Sequence, residues 1–536
     1  MGRYLNSTVP FEIYRQIAGT RFFVDKTPLL EDVLNIAEID GQKYLCITRP
    51  RRFGKSVMAA MIGAFLGKAW DSSGIFDHLA VAKDKNYKMR LNRNNVLFID
   101  LSRVPRDCNS YEQYMSRIQD GINQDLKETY PEAEIDVSGT VWDNLLTIYE
   151  KTKERFVFVI DEWDAIFHMA FIPKEKHQEY LAFLKNLLKD QIYVELTYMT
   201  GVLPIAKYSS GSELNMFVEY DMTVMERFSG YFGFVEEEVD SLFEIYLRTT
   251  KKPKVVREDL RMWYDGYYTA SGERLYNPRS VVCALANNQL TNYWTSSGPY
   301  DEIFFYVKNN IDDIRDDLVL MISGEGVEAE IQNYAAVSME LNTKDEIYSA
   351  MVIYGLLTYR DGKVFIPNKE LMDKFRELLM NKESMGYVYR LANESKKMLV
   401  ATLQRDTDIM AEILEFAHNT ESPIFSYSSE IELSAVINLV YLAARDKYRV
   451  EREDKAGEGY VDFIFYPTRK NEDALLLELK VDSTPEEAIQ QIKDKNYALR
   501  FKGKLGEKPK YTGRILAVGI SYSKKTKKHS CKVEVL

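Results

Sequence analysis

The stretch KYLCITRPRRFGKSVMAAMIGAFLG, residues 43–67, decides the fold of the N-terminal part of the chain. An apolar, β-rich run from Tyr44 to Thr48 is followed by a loop with three arginines, and apolar residues then recur at helical spacing from about Ser56. The pattern predicts a strand, a tight loop and a helix. Further apolar runs begin near residues 96, 155 and 193 and alternate with helix-length segments, so we expect a mostly parallel sheet covered by helices.

The predicted loop fits the phosphate-binding pattern GxxxxGK[ST], except that Arg49 replaces its first glycine. In such a loop Gly54 lets the backbone approach an anion, and Lys55 neutralises the β- and γ-phosphates of a nucleotide while Ser56 ligates Mg²⁺. A basic loop that only caps a helix is the alternative. The candidate nucleotide contacts are Arg49, Pro50, Arg51, Arg52, Phe53, Gly54, Lys55 and Ser56.

A second half-site follows about a hundred residues later, where an apolar strand over residues 156–160 ends in Asp161 and Glu162. In this arrangement Asp161 holds the Mg²⁺ shell and Glu162 orients or deprotonates the attacking water. Thr200, at the end of the next predicted strand, is a candidate contact for the γ-phosphate or for water, with a simple turn hydroxyl as the alternative. The sequence does not select an arginine finger among Arg227, Arg257 and Arg279.

Composition excludes several classes of protein. The 536 residues, 46% of them hydrophobic, predict about three or four folding units. No apolar run approaches the roughly 18 residues of a membrane span, so we expect a cytoplasmic protein without membrane association. The four cysteines and five histidines form no zinc-binding pattern. The net charge is -11, yet residues 491–536 carry thirteen Lys and Arg against three Asp and Glu.

The C-terminal part contains a second constellation of charged residues. GYVDFIF (459–465) and ALLLELKV (474–481) read as two strands of a hairpin that would bring Asp462 beside Glu478, with Lys480 on the same face as Glu478. Two hard carboxylate ligands for Mg²⁺ and one lysine are what metal-assisted phosphodiester hydrolysis needs. Alternating charges on a solvent-facing edge strand are the alternative, but the second strand is otherwise apolar, and buried charges are costly unless they serve a site.

Several blocks resemble known families. The first resembles the AAA-ATPase-like N-terminal domain of many uncharacterised bacterial proteins, over about residues 1–290, and the second resembles the PD-(D/E)XK nuclease domain that follows it, over about residues 420–525. The blocks of the first are VDKTPLLEDVL, ITRPRRFGKS, VIDEWDAIF, TGVLPIAK, WYDGYY and YNPRSV; those of the second are EREDKAGEGYVDFIFYP, ELKVDSTPEEAIQQIKDKNYA and AVGISYS. In the first family a missing initial glycine is normal.

The resemblance implies roles for further residues of the second domain. Besides Asp462, Glu478 and Lys480 as the active site, it implies Gln491 and Tyr497 as substrate or phosphate contacts. An acid from the first helix is also implied, for which Glu430 is our choice, Glu432 the alternative and helix capping a third option; Glu453 is a weaker candidate. The basic run 524–528 would suit a phosphate backbone, or is simply a solvated surface.

We therefore predict an α/β protein with a P-loop NTPase parallel sheet, a helical middle region and a restriction-endonuclease-like α/β domain, over residues 1–235, 236–415 and 416–536. The expected function is ATP binding and hydrolysis together with cleavage of nucleic acid, DNA being favoured over RNA, with ATP and Mg²⁺ or Mn²⁺ as cofactors. The sequence does not decide whether the protein forms a homo-oligomer. One alternative is a nucleotide-dependent switch or scaffold that does not cut; another is an ATPase whose nuclease-like domain is only structural.

Overall fold

The computed structural model describes residues 2–205, 213–294, 311–322, 324–331, 343–381, 387–418, 430–456, 459–467, 469, 471–501 and 512–536. The chain divides into two compact units. The first consists of residues 1–306 and 328–371, and the second of residues 307–327 and 372–536. No helix among the described residues combines the length and the apolar character that crossing a membrane requires.

A five-stranded parallel sheet forms the centre of the first unit, with strand order β2-β3-β4-β1-β5. Its strands are β1 (Tyr44–Thr48), β2 (Asn95–Asp100), β3 (Phe156–Asp161), β4 (Val194–Gly201) and β5 (Val218–Tyr220). Alternate residues of β1, β2 and β3 point into separate apolar cores on the two faces, as a helix-covered sheet requires. The mostly parallel sheet that the sequence predicts is confirmed.

The helices of the first unit pack on both faces of this sheet or lie after it in the chain. They are α1 (Val9–Ala18), α2 (Pro28–Ile39), α3 (Lys55–Leu66), α4 (Ser73–Phe76), α5 (Tyr87–Arg90), α6 (Tyr111–Thr129), α7 (Val141–Thr152), α8 (Glu175–Leu188), α9 (Glu236–Thr249), α10 (Arg257–Tyr264) and α11 (Pro278–Asn287). Local signals fix several ends: Asn277 caps α11 by accepting a hydrogen bond from the Ser280 N–H, and Pro278 occupies the first helical position.

The middle of the chain is mainly helical, as its periodicity predicts. Its helices are α12 (Ile311–Ile322), α13 (Lys344–Ile353), α14 (Lys369–Asn381), α15 (Tyr387–Gln404) and α16 (Thr407–His418). Its short strands are β6 (Tyr267–Tyr268), β7 (Arg274–Leu275), β8 (Val327–Glu328), β9 (Thr358–Arg360) and β10 (Lys363–Phe365). These elements are distributed over both units. The domain boundaries at residues 235 and 415 stay a prediction.

The second unit is built on a mixed five-stranded sheet in the order β11-β12-β13-β14-β15, in which only β13 and β14 are parallel. Its strands are β11 (Tyr448–Ala456), β12 (Gly459–Pro467), β13 (Ala474–Val481), β14 (Ile515–Ser523) and β15 (Lys528–Val535), and its further helices are α17 (Glu430–Val440) and α18 (Pro485–Asp494). The sequence predicts four of these strands. It misses β15, whose charged run KHSCKVEV forms an edge strand.

Gly266 allows a test of the close contact between its backbone and that of Pro367 within the first unit. Its backbone has φ of +108°, and a Cβ there would lie 1.9 Å from the carbonyl oxygen of Pro367, whereas Gly272, at φ of +85°, faces open space. We expect Gly272→Ala to lower the free energy of unfolding by about 1–2 kcal/mol through backbone strain alone. Gly266→Ala should cost about 1–3 kcal/mol more because of the overlap.

Tryptophan fluorescence during denaturant unfolding measures this difference. All five tryptophans lie in the first unit, so their signal follows that unit. Equal losses in the two variants would contradict the close approach of Pro367 to Gly266.

Candidate functional site

The phosphate-binding loop joins β1 to α3 and forms one wall of a cavity of about 710 Å³. Gly54, at φ of +90°, makes the turn into α3, and Arg52 also adopts positive φ. The charged lining is mainly positive: it has five cations and one carboxylate, although Lys26 is also paired with Glu238 outside the lining. These residues are Lys26, Arg51, Arg52, Lys55 and Arg279, with Glu162. Such a lining suits a polyphosphate.

Lys55 is held over the loop by the loop's own backbone. Its Nζ donates to the carbonyl oxygens of Arg49 at 2.8 Å and Pro50 at 3.0 Å, and its side chain is buried. Burial lowers the pKa of Lys55 to about 8. A phosphate oxygen would offer this ammonium a charged acceptor, which makes a stronger hydrogen bond than a neutral carbonyl.

The two carboxylates at the end of β3 lie at the same edge of the sheet as the loop, because β3 and β1 are parallel. Between them lies β4, which carries Thr200. The Thr200 hydroxyl donates to Asp161 and accepts from the backbone N–H of Glu162 at 3.4 Å, so it fixes this strand end. Burial raises the pKa of Asp161, although hydrogen bonds from Thr200 and Ser56 oppose that shift. Burial, together with the charge of Asp161, raises the pKa of Glu162.

These contacts bring together the predicted residues of the first site. The Ser56 hydroxyl next to the Asp161 carboxylate is a pair of hard oxygen donors, which fits Mg²⁺. Glu162 lines the cavity, and a carboxylate there is a candidate base for an attacking water. Thr200 acts on Asp161 and Glu162 in this structure, and its contact with a γ-phosphate stays a prediction.

Arg49 has a different position from the one its place in the motif predicts. Its guanidinium is buried, donates to the carbonyl oxygens of Thr48 and Tyr220 at 2.8 Å each, and reaches the Ser229 hydroxyl at 3.2 Å. It also lies 5.2 Å from the ring centre of Phe232. The side chain therefore ties β1 to β5 and is directed away from the cavity. Only its carbonyl serves the loop, through Lys55.

The structure separates the three arginine-finger candidates. Arg279 lines the cavity from the first turn of α11. Arg257 is occupied by ion pairs with Glu236 and Asp240 at 2.8 and 2.6 Å, and Arg227 lies 4.0 Å from Asp40. Of these three candidates, Arg279 is the one that lines the cavity.

Sequence reasoning missed most of the aromatic residues that line the same cavity. Besides Phe53 of the loop, they are Tyr14, Phe22, Phe23, Tyr231 and Phe234. A pocket lined by both aromatic rings and cations suits a nucleotide, whose base is planar and whose phosphates are charged. The residues come from three separate segments and share no motif, so only the run TRFFVDK, residues 20–26, hinted at them.

The second site lies on β12, β13 and α18, where the predicted hairpin is confirmed. Phe463 pairs with Leu477, which places Asp462 opposite Glu478, and Asp462 Oδ2 accepts a hydrogen bond from the Leu479 N–H at 2.7 Å. Lys480 Nζ lies 3.2 Å from Glu478 Oε1. The side-chain amide of Gln491 donates to the same oxygen.

Glu478 is the electrostatic centre of this site. It is 3% exposed, and its Oε2 is buried without a hydrogen-bond partner among the described residues. Burial, followed by the negative charge of Asp462, raises the pKa of Glu478 to about 7. An orphaned carboxylate oxygen beside a second carboxylate fits a divalent cation, which would compensate both charges.

The remaining predicted contacts differ in what the structure shows. Tyr497 is buried and its hydroxyl donates to the carbonyl oxygen of Tyr460 at 2.6 Å, which is the geometry of a positioning residue. Its contact with substrate stays a prediction. The side chains of Glu430, Glu432 and Glu453 lie outside the described residues. Across the part of the chain that is described, no group of three or more His, Cys, Asp or Glu side chains could hold a metal.

In the first unit, a parallel sheet with a phosphate loop and with Asp161 and Glu162 at a strand end is typical of the P-loop ATPase class. In the second unit, Asp462 and Glu478 together with Lys480 are typical of a nuclease-like class. Comparison with known families agrees: residues 11–210 match the family described as predicted AAA-ATPase, and residues 434–530 match the PD-(D/E)XK nuclease superfamily. The chain therefore carries a predicted AAA-ATPase domain followed by a PD-(D/E)XK nuclease superfamily domain.

Solved structures show distant similarity. A Walker-type ATPase of Pyrococcus abyssi is 12% identical with a TM-score of 0.36, covering 66% of this chain and 94% of that one. The ORC2 protein of Aeropyrum pernix, in ADPNP–ADP complexes, is 11% identical with a TM-score of 0.31, covering 67% and 94%. No curated protein matches the sequence.

The raised pKa of Glu478 predicts the pH dependence of metal binding. Below pH 7 the carboxyl is protonated, and a cation must displace that proton. The affinity for Mn²⁺ should therefore rise about tenfold per pH unit up to about pH 7 and become constant above it.

Calorimetric titration with Mn²⁺ between pH 5.5 and 8.5 would measure this dependence. An Asp161→Asn background removes the contribution of the first site, and Glu478→Gln should lose both the affinity and its pH dependence. An affinity for Mn²⁺ that does not change between pH 5.5 and 7 would show that Glu478 is not the ligand.

Proposed function

We propose that this protein binds and hydrolyses ATP in its first unit and, in its second unit, hydrolyses phosphodiester bonds of nucleic acid with Mg²⁺ or Mn²⁺, with DNA as the favoured substrate. The observation that carries the nuclease proposal is the convergence of Asp462, Glu478 and Lys480, with one oxygen of Glu478 left unpaired. A purely structural strand would not bury a carboxylate oxygen without a partner, as Glu478 does among the described residues.

In the nuclease site each side chain has a distinct task. Asp462 and Glu478 would hold the cation, and Gln491 fixes the orientation of Glu478. When bound, the cation polarises the phosphoryl oxygen and lowers the pKa of the attacking water. The Lys480 ammonium, 3.2 Å from Glu478 Oε1, would donate to that water or to a non-bridging phosphate oxygen as negative charge develops.

In the ATPase site the work divides similarly. Lys55 would exchange its two carbonyl acceptors for phosphate oxygens, and Arg279 would add a second cation from α11. Glu162 would take the proton of the attacking water, and its raised pKa favours it as a general base. Asp161 and Ser56 would hold Mg²⁺.

We further propose that nucleotide state controls access to the nuclease site. Glu370 supports this coupling: it is buried, accepts from the Ser280 hydroxyl at 2.9 Å and from the Trp294 N–H at 2.6 Å, and follows directly after the first residue of α14. Ser280 is the neighbour of Arg279 in α11. In this proposal, a change at the cavity lining would be passed to α14 through the hydrogen bond between Ser280 and Glu370.

A second connection runs from the phosphate loop to the same helix. Arg52 donates to the carbonyl oxygen of Tyr293 at 2.6 Å, and the Tyr293 N–H donates to Glu370 at 2.5 Å. Helix α14 starts in the first unit and continues into the second, because the division falls after Leu371. In this proposal, a shift at Glu370 acts on the first turn of α14.

Removal of the nuclease-site lysine tests the nuclease proposal. We expect Lys480→Ala to lower cleavage of plasmid and single-stranded DNA, in Mg²⁺ or Mn²⁺, by about 10²-fold or more. Lys447→Ala is the matched control, because Lys447 is exposed next to Tyr448, at the opposite end of the sheet from Lys480, and should change cleavage little. Parallel reactions with and without ATP would show whether the units are coupled. If the unaltered protein cuts nothing under any of these conditions, the non-cutting switch is favoured.

The ATPase proposal is tested by separating binding from turnover. Glu162→Gln should bind ATP nearly as well as the unaltered protein but hydrolyse it about 10²–10³-fold more slowly, because it loses only the base. Lys55→Ala should lose binding itself, and Glu175→Gln, at an exposed position, should change neither. Phosphate release and fluorescent-nucleotide titration give the two readouts. Undiminished hydrolysis in Glu162→Gln would assign the base elsewhere.

A further inference from the structure

The turn between β14 and β15 concentrates positive charge in a few residues. Its sequence is KKTKK, residues 524–528, which we call the lysine turn. All four of its lysines are exposed: Lys524, Lys525, Lys527 and Lys528. The sequence alone suggests a basic tail, whereas the structure places these residues inside a strand pair.

The lysine turn has a defined backbone. The Lys527 N–H donates to the Ser523 carbonyl at 2.8 Å, and the Thr526 N–H donates to the Ser523 hydroxyl at 3.3 Å. Lys527 adopts φ of +56°, and strand pairing resumes directly with Ser523 opposite Lys528. The four ammonium groups are therefore presented from a closed turn and not from a loose segment.

The turn is anchored to the strand that carries the nuclease residues. β14 runs parallel to β13, with Ser521 opposite Lys480, so Lys524 follows three residues beyond that point. The Lys524 N–H donates to Asp482 Oδ1 at 2.8 Å, and the Asp482 N–H donates to the Tyr522 carbonyl at 2.8 Å. Asp482 is only two residues after Lys480. At a strand rise of about 3.3 Å per residue, the turn begins roughly 10 Å from the level of Lys480.

The charges of the turn are largely uncompensated. Lys524 lies 4.0 Å from Asp482, but among the described residues no carboxylate oxygen lies within 4.0 Å of Lys525, Lys527 or Lys528. Elsewhere on the same strand Lys532 is paired with both Glu486 and Glu534. Like charges crowded in one turn repel each other, and a polyanion would relieve that repulsion.

We propose that the lysine turn binds the phosphate backbone of nucleic acid next to the bond that the nuclease site attacks. The inference rests on the proposed function of that site. Phosphates of one strand follow each other at about 3.4 Å along a duplex axis, so a turn roughly 10 Å away contacts the backbone about three nucleotides from the reacting phosphate. Contacts with phosphate oxygens carry no sequence information, so the turn holds nucleic acid irrespective of sequence.

The test is the salt dependence of binding. Fluorescence anisotropy with labelled single-stranded and duplex DNA and RNA, on an Asp462→Asn background that prevents cutting, gives the dissociation constants. We expect Lys525→Glu with Lys528→Glu to weaken binding at least tenfold at about 0.1 M salt. The slope of log affinity against log salt should become shallower by about 2, since each lost phosphate contact removes about 0.9.

The control is a double variant with the same change of charge at the opposite end of the sheet. Lys447→Glu with Arg469→Glu alters two exposed cations next to the far ends of β11 and β12, and should change affinity less than threefold. The Lys525→Ala with Lys528→Ala variant replaces the charge reversal if that one fails to fold. Unchanged Mn²⁺ binding at Glu478, measured with Asp462 intact, shows that the site itself is preserved.

The outcomes separate this inference from the nuclease proposal. Equal affinity and slope in the turn variant, an equal loss in the control variant, or no binding of nucleic acid by the chain each overturn the role of the lysine turn. If the turn variant fails in these ways while the unaltered protein cuts, the nuclease proposal stands alone. If the turn variant loses binding but the unaltered protein never cuts, the lysine turn stands and the nuclease proposal fails.

Discussion

The need to compensate a charge inside apolar surroundings is the constraint on which both sites depend. Glu478 lies in a strand that is otherwise almost wholly apolar, and Lys480 and Gln491 satisfy only one of its two oxygens. Lys55 carries a buried positive charge, and its ammonium group donates hydrogen bonds to two backbone carbonyl oxygens. In each case protein groups compensate a buried charge only in part, and a ligand of opposite charge would compensate the rest.

Much of the architecture could be predicted from the sequence because its signals are local. The apolar runs that become β1 to β4, the loop ending in Gly54 to Ser56, and the register that sets Asp462 opposite Glu478 all follow from spacing within short segments. Strand β15 was missed for a physical reason. Its alternating charges resemble a solvated tail, and only pairing with β14 makes it a strand.

Side-chain direction and long-range contacts could not be predicted in this way. The motif places Arg49 in the phosphate loop, but its guanidinium donates hydrogen bonds to Tyr220 and Ser229, which are over 170 residues away in sequence. The same limit applies to Glu370, whose partners Ser280 and Trp294 lie 90 and 76 residues earlier. No local pattern encodes which distant backbone group will satisfy a buried charge.

Arg49 also bears on how such a loop can change over evolutionary time. A mutation that restored the usual glycine at this position would leave the carbonyls of Thr48 and Tyr220 and the hydroxyl of Ser229 without their shared donor in a buried place. The variant loop is thus held in place by its neighbours in the sheet, independently of the nucleotide. A return to glycine would require compensating changes in β5 and in the segment around Ser229. A single substitution at residue 49 is therefore destabilising, which hinders a return to the usual motif.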